Sequence, residues 1–312
     1  ALPISETAEK EEGTVTEPGD SAETERRVEE IIIHQAAQTP SEEAEDCYDA
    51  AMTLTVSIGG EDRELTLQEY LCGVLMGEMP AEFPLEALKA QAVAARTYTL
   101  RRLEGGGVLS DDPSVCQAYF SPDRAEERYG DQAAAYCAKV LQAVTETDGE
   151  VMTYGGDLIA ATYFSCSGGR TESAQAVWGS SVPYLVSVDS PGEETARSFE
   201  STQMVPLDTF LSVLEITSPA VREITYTEGG GVDTITIGGN TFTGVELRSL
   251  FDLRSTSFTL EVEEDQVVFR VRGYGHRVGL SQYGAKAMAE AGSEYREILT
   301  WYYSGAELTE AL

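Results

Sequence analysis

Hydrophobic residues in the first part of the ordered sequence alternate with polar ones. Leu54, Val56 and Ile58 are separated by small polar side chains, and two glycines follow at 59–60. A period of two is typical of a strand with one buried face, and paired glycines favour a tight turn. We therefore predict a strand at 54–58 that ends in a turn.

The segments that follow have helical spacing instead. Thr66 and Glu69 form a capping-box pattern before an apolar face that ends just before Pro80, which predicts a helix between them. A second helix is expected from Pro84 to about residue 102, because proline suits the first turn of a helix. A third is expected over 131–145.

The rest of the chain mixes hairpins and helices. Strands are predicted at 150–154 and 157–164 around a Gly-Gly turn, and helices at 281–291 and 293–303. The segment 205–272 combines short strands with a helix and allows a smaller inserted lobe. No regular βαβ repeat connects these elements, so the predicted fold class is α+β.

Charge changes the picture mainly at the N-terminus. Of the 312 residues, 54 are acidic and 21 basic, and 15 of the acidic residues but only 3 of the basic ones lie in residues 1–50. A segment this polar cannot bury enough apolar surface to fold. We therefore predict a disordered acidic tether at 1–50 and a folded domain at 51–312. A plain mobile terminus is the alternative. The start at Ala1 is compatible with removal of an upstream signal or anchor.

The net charge of −33 and the pI near 4.2 argue against nucleic acid as a partner, since phosphates would be repelled. No apolar run approaches the roughly 18 residues of a membrane span.

Candidate chemistry is sparse. Of two histidines, His34 falls in the tether and His276 lies among glycines in the folded part. Cys166, in a Ser/Gly loop, is a candidate nucleophile for a Cys–His hydrolase with His276, although nothing in the sequence fixes their distance. No spacing of His, Cys and Asp matches a zinc pattern, so no metal or other cofactor is expected.

Glu78 is an unusual carboxylate because it ends a predicted helix between Met76 and Met79, with Phe83 close behind. Loss of water and the negative helix end would both raise its pKa, which suits a general acid. A solvated glutamate at a fraying helix end is the alternative.

Three longer blocks of sequence carry a specific resemblance. They are similar to the signature blocks of the stage II sporulation protein D (SpoIID) family, which also contains the LytB amidase-enhancer proteins, and they occur in the family's order. The blocks are LQEYLCGVLMGEMPAEFPLEALKAQAVAARTYTLRR (67–102), YFSCSGGRTESAQAVWGSSVPYLVSVDSPG (163–192) and GYGHRVGLSQYGAKAMAEAGSEYREILTWYYSG (273–305).

This resemblance implies a peptidoglycan lytic transglycosylase whose helices and hairpins surround a glycan-binding groove. The family's catalytic glutamate falls on Glu78, which would act as acid and then as base while a 1,6-anhydro ring closes on N-acetylmuramic acid. The substrate-binding positions that the resemblance implies are Lys89, Arg96, Tyr163, Ser167, Gly168, Gly169, Arg170, His276, Ser281 and Gln282.

The chain departs from the family pattern at two places. Arg277 and Leu280 stand where the family block has glycine and methionine, and the arginine is expected to narrow the groove or contact glycan. Some members hold zinc near Cys116, but residues 104–115 contain no His or Cys, so no zinc is expected here.

The resemblance also implies partners and a location. The expected partners are peptidoglycan strands, a cell-wall amidase and membrane-bound sporulation proteins, and the expected location is outside the cytoplasmic membrane, with a tether to it. A non-catalytic wall-binding module that recruits or stimulates an amidase remains the alternative function.

Overall fold

The structure, a computed structural model, describes residues 47–311. Residues 1–46 of the predicted tether, and with them His34, lie outside the described residues. Helix α1 is a single turn, Tyr48–Ala51, and Asp49 within it is fully buried. The predicted boundary at residue 50 falls inside this helix. The helix is joined to the rest of the described chain by the hydrogen bond from Arg96 to Asp49. The wider division into a tether and a catalytic domain stays a prediction.

The first sheet begins as the sequence predicts. Strand β1 spans Thr53–Ile58 and turns back through Gly59-Gly60, both with positive φ, into the antiparallel strand β2, Glu61–Thr66. The short strand β3, Leu109–Ser110, pairs in parallel with β1. Strand β2 was not predicted because its side chains are polar and mostly exposed, so they carry no hydrophobic period.

Helices form the main core. The capping box of Thr66 and Glu69 is present at the start of the first of them, and the second presents an alanine-rich, fully buried surface. Helices α2, α3, α4 and α5 span Leu67–Glu78, Leu85–Glu104, Pro122–Tyr129 and Ala133–Thr145. Small alanine side chains let neighbouring helices approach closely, so α3 lies at the centre of this cluster.

The predicted strand at 157–164 is wrong in its extent. Strand β4, Glu150–Tyr154, is followed by β5, Asp157–Leu158, and the chain then leaves that sheet. Strand β6, Tyr163–Phe164, pairs in parallel with a segment more than 100 residues later. A pairing so distant in sequence leaves no local periodic signal.

The segment after the short helix α6, Ala174–Trp178, has its own hydrophobic cluster. This cluster is built around Phe210, Phe251 and Phe269, whose rings contact one another. Its elements are β7 Glu200–Pro206, α7 Leu207–Val213, β8 Val221–Tyr226, β9 Val232–Ile237, β10 Asn240–Thr243, α8 Gly244–Leu250, β11 Ser257–Val262 and β12 Gln266–Arg272. They form two antiparallel sheets, ordered β11-β12-β7 and β10-β9-β8.

The C-terminal segment returns to the main core. The closing elements are β13 Leu280–Ser281, α9 Gln282–Glu290, α10 Tyr295–Tyr302 and β14 Glu307–Glu310. Strand β13 is the parallel partner of β6, and β14 pairs with β4. Helices and small sheets are thus mixed without a regular alternation, which confirms the α+β class. Within the part of the chain that the structure describes, no helix is long and apolar enough to cross a membrane.

Candidate active site

A pocket of about 240 Å³ lies where α2, β6 and the glycine-rich segment before β13 meet. Glu78 is in its wall together with Tyr98, Cys116, Gln117, Thr162, Tyr163 and His276. The structure thus brings together three residues that lie far apart in the sequence, one in each of the three blocks: Glu78, Tyr163 and His276. Glu78 carries the one carboxyl group among the lining residues.

Glu78 is held in a partly desolvated position at the end of α2. Burial raises the pKa of its carboxyl group, whereas the hydrogen bond from the Ala118 amide and the polar side chains of Tyr163 and Gln282 act in the opposite direction. The Ala118 N–H donates to Oε1 at 2.6 Å. No Lys or Arg contributes to this shift. Since the net change in the pKa is upward, burial outweighs the hydrogen bonds and favours the protonated acid.

Gly77 makes that contact possible. A Cβ atom at this position would lie 2.9 Å from the backbone C and O of Ala118, closer than real Cβ atoms approach backbone atoms. The glycine beside Glu78 therefore allows the 117–119 segment to place an amide N–H on the carboxylate.

Hydrogen bonds among polar side chains fix the wall around Glu78. The Tyr163 hydroxyl donates to Gln117 Oε1 at 2.7 Å, and Gln117 Nε2 donates to Thr99 Oγ1 at 2.9 Å. Gln282, at the start of α9, is 5% exposed and within hydrogen-bonding reach of Glu78. The sequence placed Tyr163 and Gln282 at the site, but Gln117 was missed as a site residue because it is one polar residue in an irregular segment.

His276 is a neutral member of the pocket wall. Burial and the nearby charge of Arg248 lower the pKa of its imidazole to about 4. Nδ1 accepts the Val278 N–H at 3.1 Å, and the ring also hydrogen-bonds to the backbone of Tyr163. With both ring nitrogens engaged, His276 is unsuited to act as a second acid or base at neutral pH.

The hydrolase interpretation of Cys166 and His276 is wrong. The Cys166 thiol is fully buried and donates to Glu193 Oε2 at 3.2 Å. Burial and the Glu193 charge raise its pKa to about 12, so it remains a thiol and not a nucleophilic thiolate.

Glu193 links the two glycine-rich blocks behind the pocket, and it was not predicted. Its carboxylate is fully buried; Oε2 accepts from the Ser167 N–H at 2.7 Å, the Ser167 hydroxyl at 2.8 Å and the Gly168 N–H at 2.9 Å. Oε1 accepts from the hydroxyls of Ser190 and Ser281 at 2.6 and 2.5 Å. The one signal in the sequence was its position directly after the second block, which did not distinguish it from other acidic residues.

These contacts correct the role expected for Ser167 and Ser281. Both side chains are fully buried and directed at Glu193, so neither is placed to touch a substrate. Ser281 Oγ also accepts the Gly284 N–H as the N-cap of α9. The two serines therefore act on the site by fixing the loop at 167–169 and the helix that carries Gln282.

The two glycines of the Ser-Gly-Gly loop have positive φ, but only Gly168 is closely packed. Gly168 has a φ of 76°, and a Cβ there would lie 3.0 Å from the Gly273 nitrogen. Gly169, with a φ of 114°, has open space on its Cβ side. Arg170 is partly exposed and pairs with Asp189 and Glu228 beyond the loop. Substrate contacts for these three residues stay predictions.

Arg277 does not face the groove, contrary to expectation. It has a φ of 66°, in the left-handed region that glycine adopts more readily than other residues, and is 2% exposed. Its guanidinium donates to the carbonyls of Ser167 at 2.7 Å and Gly229 at 2.6 Å and lies 3.4 Å from Glu172 Oε1. The side chain therefore turns inward and connects the site to the segment before β9.

Lys89 and Arg96 do not line the pocket with Glu78, so their role in substrate binding stays a prediction. Arg96 is fully buried and makes two hydrogen bonds, 2.8 and 3.0 Å, from Nε to the Asp49 carboxylate. Lys89 pairs with Glu86 at 2.9 Å and with Glu146. Both cations hold α3 to its neighbours instead of contacting Glu78.

The surroundings of Cys116 do not fit a metal site. Its sulfur lies 3.6 Å from the Tyr70 hydroxyl. Across residues 47–311, no group of three or more His, Cys, Asp and Glu side chains is arranged to hold a metal ion.

Comparison with known proteins identifies the family. A sequence model of SpoIID, described as stage II sporulation protein, matches residues 61–154. The stage II sporulation protein D of Bacillus subtilis (strain 168) is 38% identical to this chain over 258 residues, which cover 79% of this chain and 75% of that protein. The chain belongs to the stage II sporulation protein D family. The resemblance seen in the three sequence blocks is thereby confirmed.

Other SpoIID relatives extend the comparison. The stage II sporulation protein D of Bacillus amyloliquefaciens is 37% identical over 258 residues, again 79% of this chain and 75% of that protein. The amidase enhancer of Bacillus subtilis (strain 168) is 30% identical over 299 residues, 77% of this chain but 40% of that protein. By name, these relatives are thus sporulation proteins and an amidase enhancer.

Proposed function

We propose that this SpoIID chain is a peptidoglycan lytic transglycosylase in which Glu78 is first the general acid and then the general base. The observation that carries the proposal is a single carboxyl group with a raised pKa in a pocket formed by the family's three sequence blocks. A raised pKa increases the fraction of Glu78 that is protonated at a given pH, and the protonated acid is the form that can give a proton to a leaving group.

In the first step, Glu78 gives its proton to the oxygen that joins C1 of N-acetylmuramic acid to the next N-acetylglucosamine. The C1–O bond breaks, the sugar gains oxocarbenium character, and N-acetylglucosamine leaves with a hydroxyl group. The Ala118 N–H, 2.6 Å from Oε1, stabilises the carboxylate that this step creates.

In the second step, the Glu78 carboxylate takes the proton of the C6 hydroxyl on the same muramic acid, and that oxygen bonds to C1. A 1,6-anhydro ring closes, no water is consumed, and Glu78 returns to its protonated state. Because the sugar supplies its own nucleophile, a second catalytic carboxylate is not required, in agreement with the single carboxyl group in the pocket wall.

The proposed site of action is the cell wall outside the cytoplasmic membrane, where glycan strands are found. The proposed partners are those strands and a wall amidase, with attachment to membrane-bound sporulation proteins. The relative named amidase enhancer favours a second candidate function, namely a wall-binding module that recruits or stimulates an amidase without cutting glycan itself.

Mass spectrometry of glycan strands tests the proposal. Strands without stem peptides are incubated with the wild-type chain, with Glu78→Gln and with Glu82→Gln, a control at an exposed glutamate four residues away. We expect wild type and Glu82→Gln to give ends with 1,6-anhydro-muramic acid, each one water lighter than a hydrolysed end, and Glu78→Gln to give none. Equal cleavage by Glu78→Gln would refute the role of Glu78. Binding without cleavage by all three would favour the amidase-stimulating module.

A further inference from the structure

The segment 200–272 has a cavity of its own, with a volume of about 410 Å³. We call this cavity the seam, and its lining residues are Ser218, Pro219, Ala220, Val221, Leu260 and Val262. None of them lines the pocket around Glu78. Val221 begins β8 and Leu260 lies in β11, and each of these strands is at the edge of its sheet. The seam therefore lies between the edge strands of the two antiparallel sheets.

The inner face of β11 loses its cover toward the end of the strand. Phe258, Leu260 and Val262 alternate along β11 and therefore share one face. Phe258 is 5% exposed, Leu260 is partly exposed and Val262 is 41% exposed. Val267, which pairs with Val262 on β12, is fully buried in the hydrophobic cluster of the segment. Val262 is thus exposed to solvent although it belongs to the face that forms the core.

Strand β11 also has a free edge, since within its sheet it pairs with β12 alone. In an antiparallel ladder, every second residue directs its N–H and C=O away from the partner strand. Thr256 does so, because its carbonyl accepts the Val232 N–H of the other sheet. The alternation gives the same outward direction to Phe258, Leu260 and Val262. Among residues 47–311, no hydrogen-bond partner is found for the outward backbone groups of these three residues.

The opposite wall of the seam is less suited to pair with another strand. Strand β8 is irregular in its register with β9, once between Arg222 and Ile224 and again between Thr225 and Tyr226. Bulges of this kind protect an edge from further pairing. Strand β11 pairs with β12 without interruption over its whole length. The edge that can accept a new strand is therefore that of β11.

The surroundings of this edge are acidic. Glu261 lies in β11, and Glu263, Glu264 and Asp265 lie in the turn to β12, whereas residues 257–266 contain no Lys or Arg. Glu261 is 3.5 Å from Arg270. For the three acidic residues of the turn, no ion pair within 4 Å is found among residues 47–311. Charge complementarity therefore favours a partner with basic side chains.

We propose that the seam is a docking site for an extended segment of another protein, in which apolar side chains alternate with lysine or arginine. The segment adds a strand to β11: its backbone pairs with the outward groups of Phe258, Leu260 and Val262, its apolar side chains fill the seam, and its basic side chains face the acidic turn. Because the seam shares no residue with the pocket around Glu78, the proposal does not depend on cleavage of glycan.

Peptide binding to the full chain tests the seam. The probe is a fluorescein-labelled peptide of about nine residues in which valine and lysine alternate. It is compared with a peptide that has glutamate in place of each lysine and with one that has proline in place of each valine. By fluorescence polarisation, we expect the valine–lysine peptide to bind at least about ten-fold more tightly than either, because the first change reverses the charge and the second prevents strand pairing.

Hydrogen exchange followed by mass spectrometry reports the mode of binding. On addition of the valine–lysine peptide, exchange is expected to slow in residues 257–266, because the outward amide groups of β11 gain acceptors. Exchange in β7, at the opposite edge of the same sheet, is expected to stay unchanged. Slowed exchange at β7 or β8 but not at β11 would contradict the assigned edge.

A pair of matched variants completes the test. Val262→Lys places a positive charge at an exposed position in the seam and is expected to weaken the valine–lysine peptide at least about ten-fold. Met204→Lys, at an exposed apolar residue of β7, is the control and is expected to change the affinity less than about two-fold.

The absence of saturable binding, equal affinity for the three peptides, or equal loss of affinity in the two variants would each overturn the proposal. Self-association of the chain is measured by analytical ultracentrifugation. A dimer that Val262→Lys abolishes would assign the edge of β11 to a second copy of the chain and would likewise overturn it.

Discussion

Replacement of Glu193 by alanine is expected to destabilise the folded chain severely. The carboxylate is fully buried and accepts hydrogen bonds from two backbone N–H groups, those of Ser167 and Gly168, as well as from hydroxyl and thiol groups. Hydroxyls can rotate toward other acceptors, whereas the two backbone groups cannot. A buried donor left without a partner costs about 1–3 kcal/mol. The two N–H groups together therefore give a loss of about 4 kcal/mol in the free energy of unfolding.

Glutamine at the same position keeps one acceptor oxygen but adds a donor group opposite donors. We expect Glu193→Gln to cost about 2 kcal/mol, between wild type and the alanine variant. The assay is urea unfolding followed by tryptophan fluorescence, and Trp301 is a suitable reporter because its indole N–H donates to the Asp189 carbonyl beside this network at 2.8 Å. Glu194→Gln, at the exposed neighbour, is the control.

A loss of less than about 0.5 kcal/mol in the unfolding free energy of Glu193→Ala, the range of an ordinary surface substitution such as Glu194→Gln, would refute this role of the Glu193 carboxylate. A loss of stability in both Glu193 variants in the expected order would support the view that this carboxylate holds the two glycine-rich blocks together.

Five further outcomes are expected. Asp49→Ala leaves Arg96 charged and buried, so urea unfolding should show a loss of about 3–5 kcal/mol, and a loss below 1 kcal/mol contradicts the buried pair. Iodoacetamide followed by peptide mass mapping should leave Cys166 unmodified until the chain unfolds, because its thiol is buried with a pKa near 12; rapid labelling of the native chain would contradict this. Cleavage should persist above the ordinary pKa of a carboxyl group and decline as pH rises through the raised pKa of Glu78. Because the pKa of Glu78 is higher in the folded chain than in the unfolded chain, the protonated form stabilises the fold and wild type loses stability as pH rises through the raised pKa. Glutamine does not titrate, so Glu78→Gln should become more stable than wild type over this pH range and show no such advantage in acid. Gly77→Ala should shift the cleavage profile by displacing the amide that contacts Glu78, and an unchanged profile contradicts the close approach.

The sequence predicted those parts of the molecule that local patterns determine. The helix from Leu67 to Glu78 follows from its capping box and from Pro80, and the pocket position of Glu78 follows from its apolar neighbours. The ion pair of Arg96 with Asp49 could not be predicted, because the position of a basic residue on a helix does not reveal a partner 47 residues away in the sequence. Glu193 was missed for the same reason, since all of its importance lies in tertiary hydrogen bonds.

The β6–β13 pairing has a consequence for how the chain folds. Tyr163 pairs with Leu280, so the strands that meet at the site are separated by the whole 200–272 segment. That segment enters and leaves at neighbouring points, because Glu200 pairs with Arg272. Once it has folded, the chain that must close between the two strands shortens to roughly 45 residues, which lowers the entropy cost of closure by about 0.8 kcal/mol. The inserted segment is thus expected to fold early, and a growing chain can complete the pocket around Glu78 only after residue 280 has been synthesised.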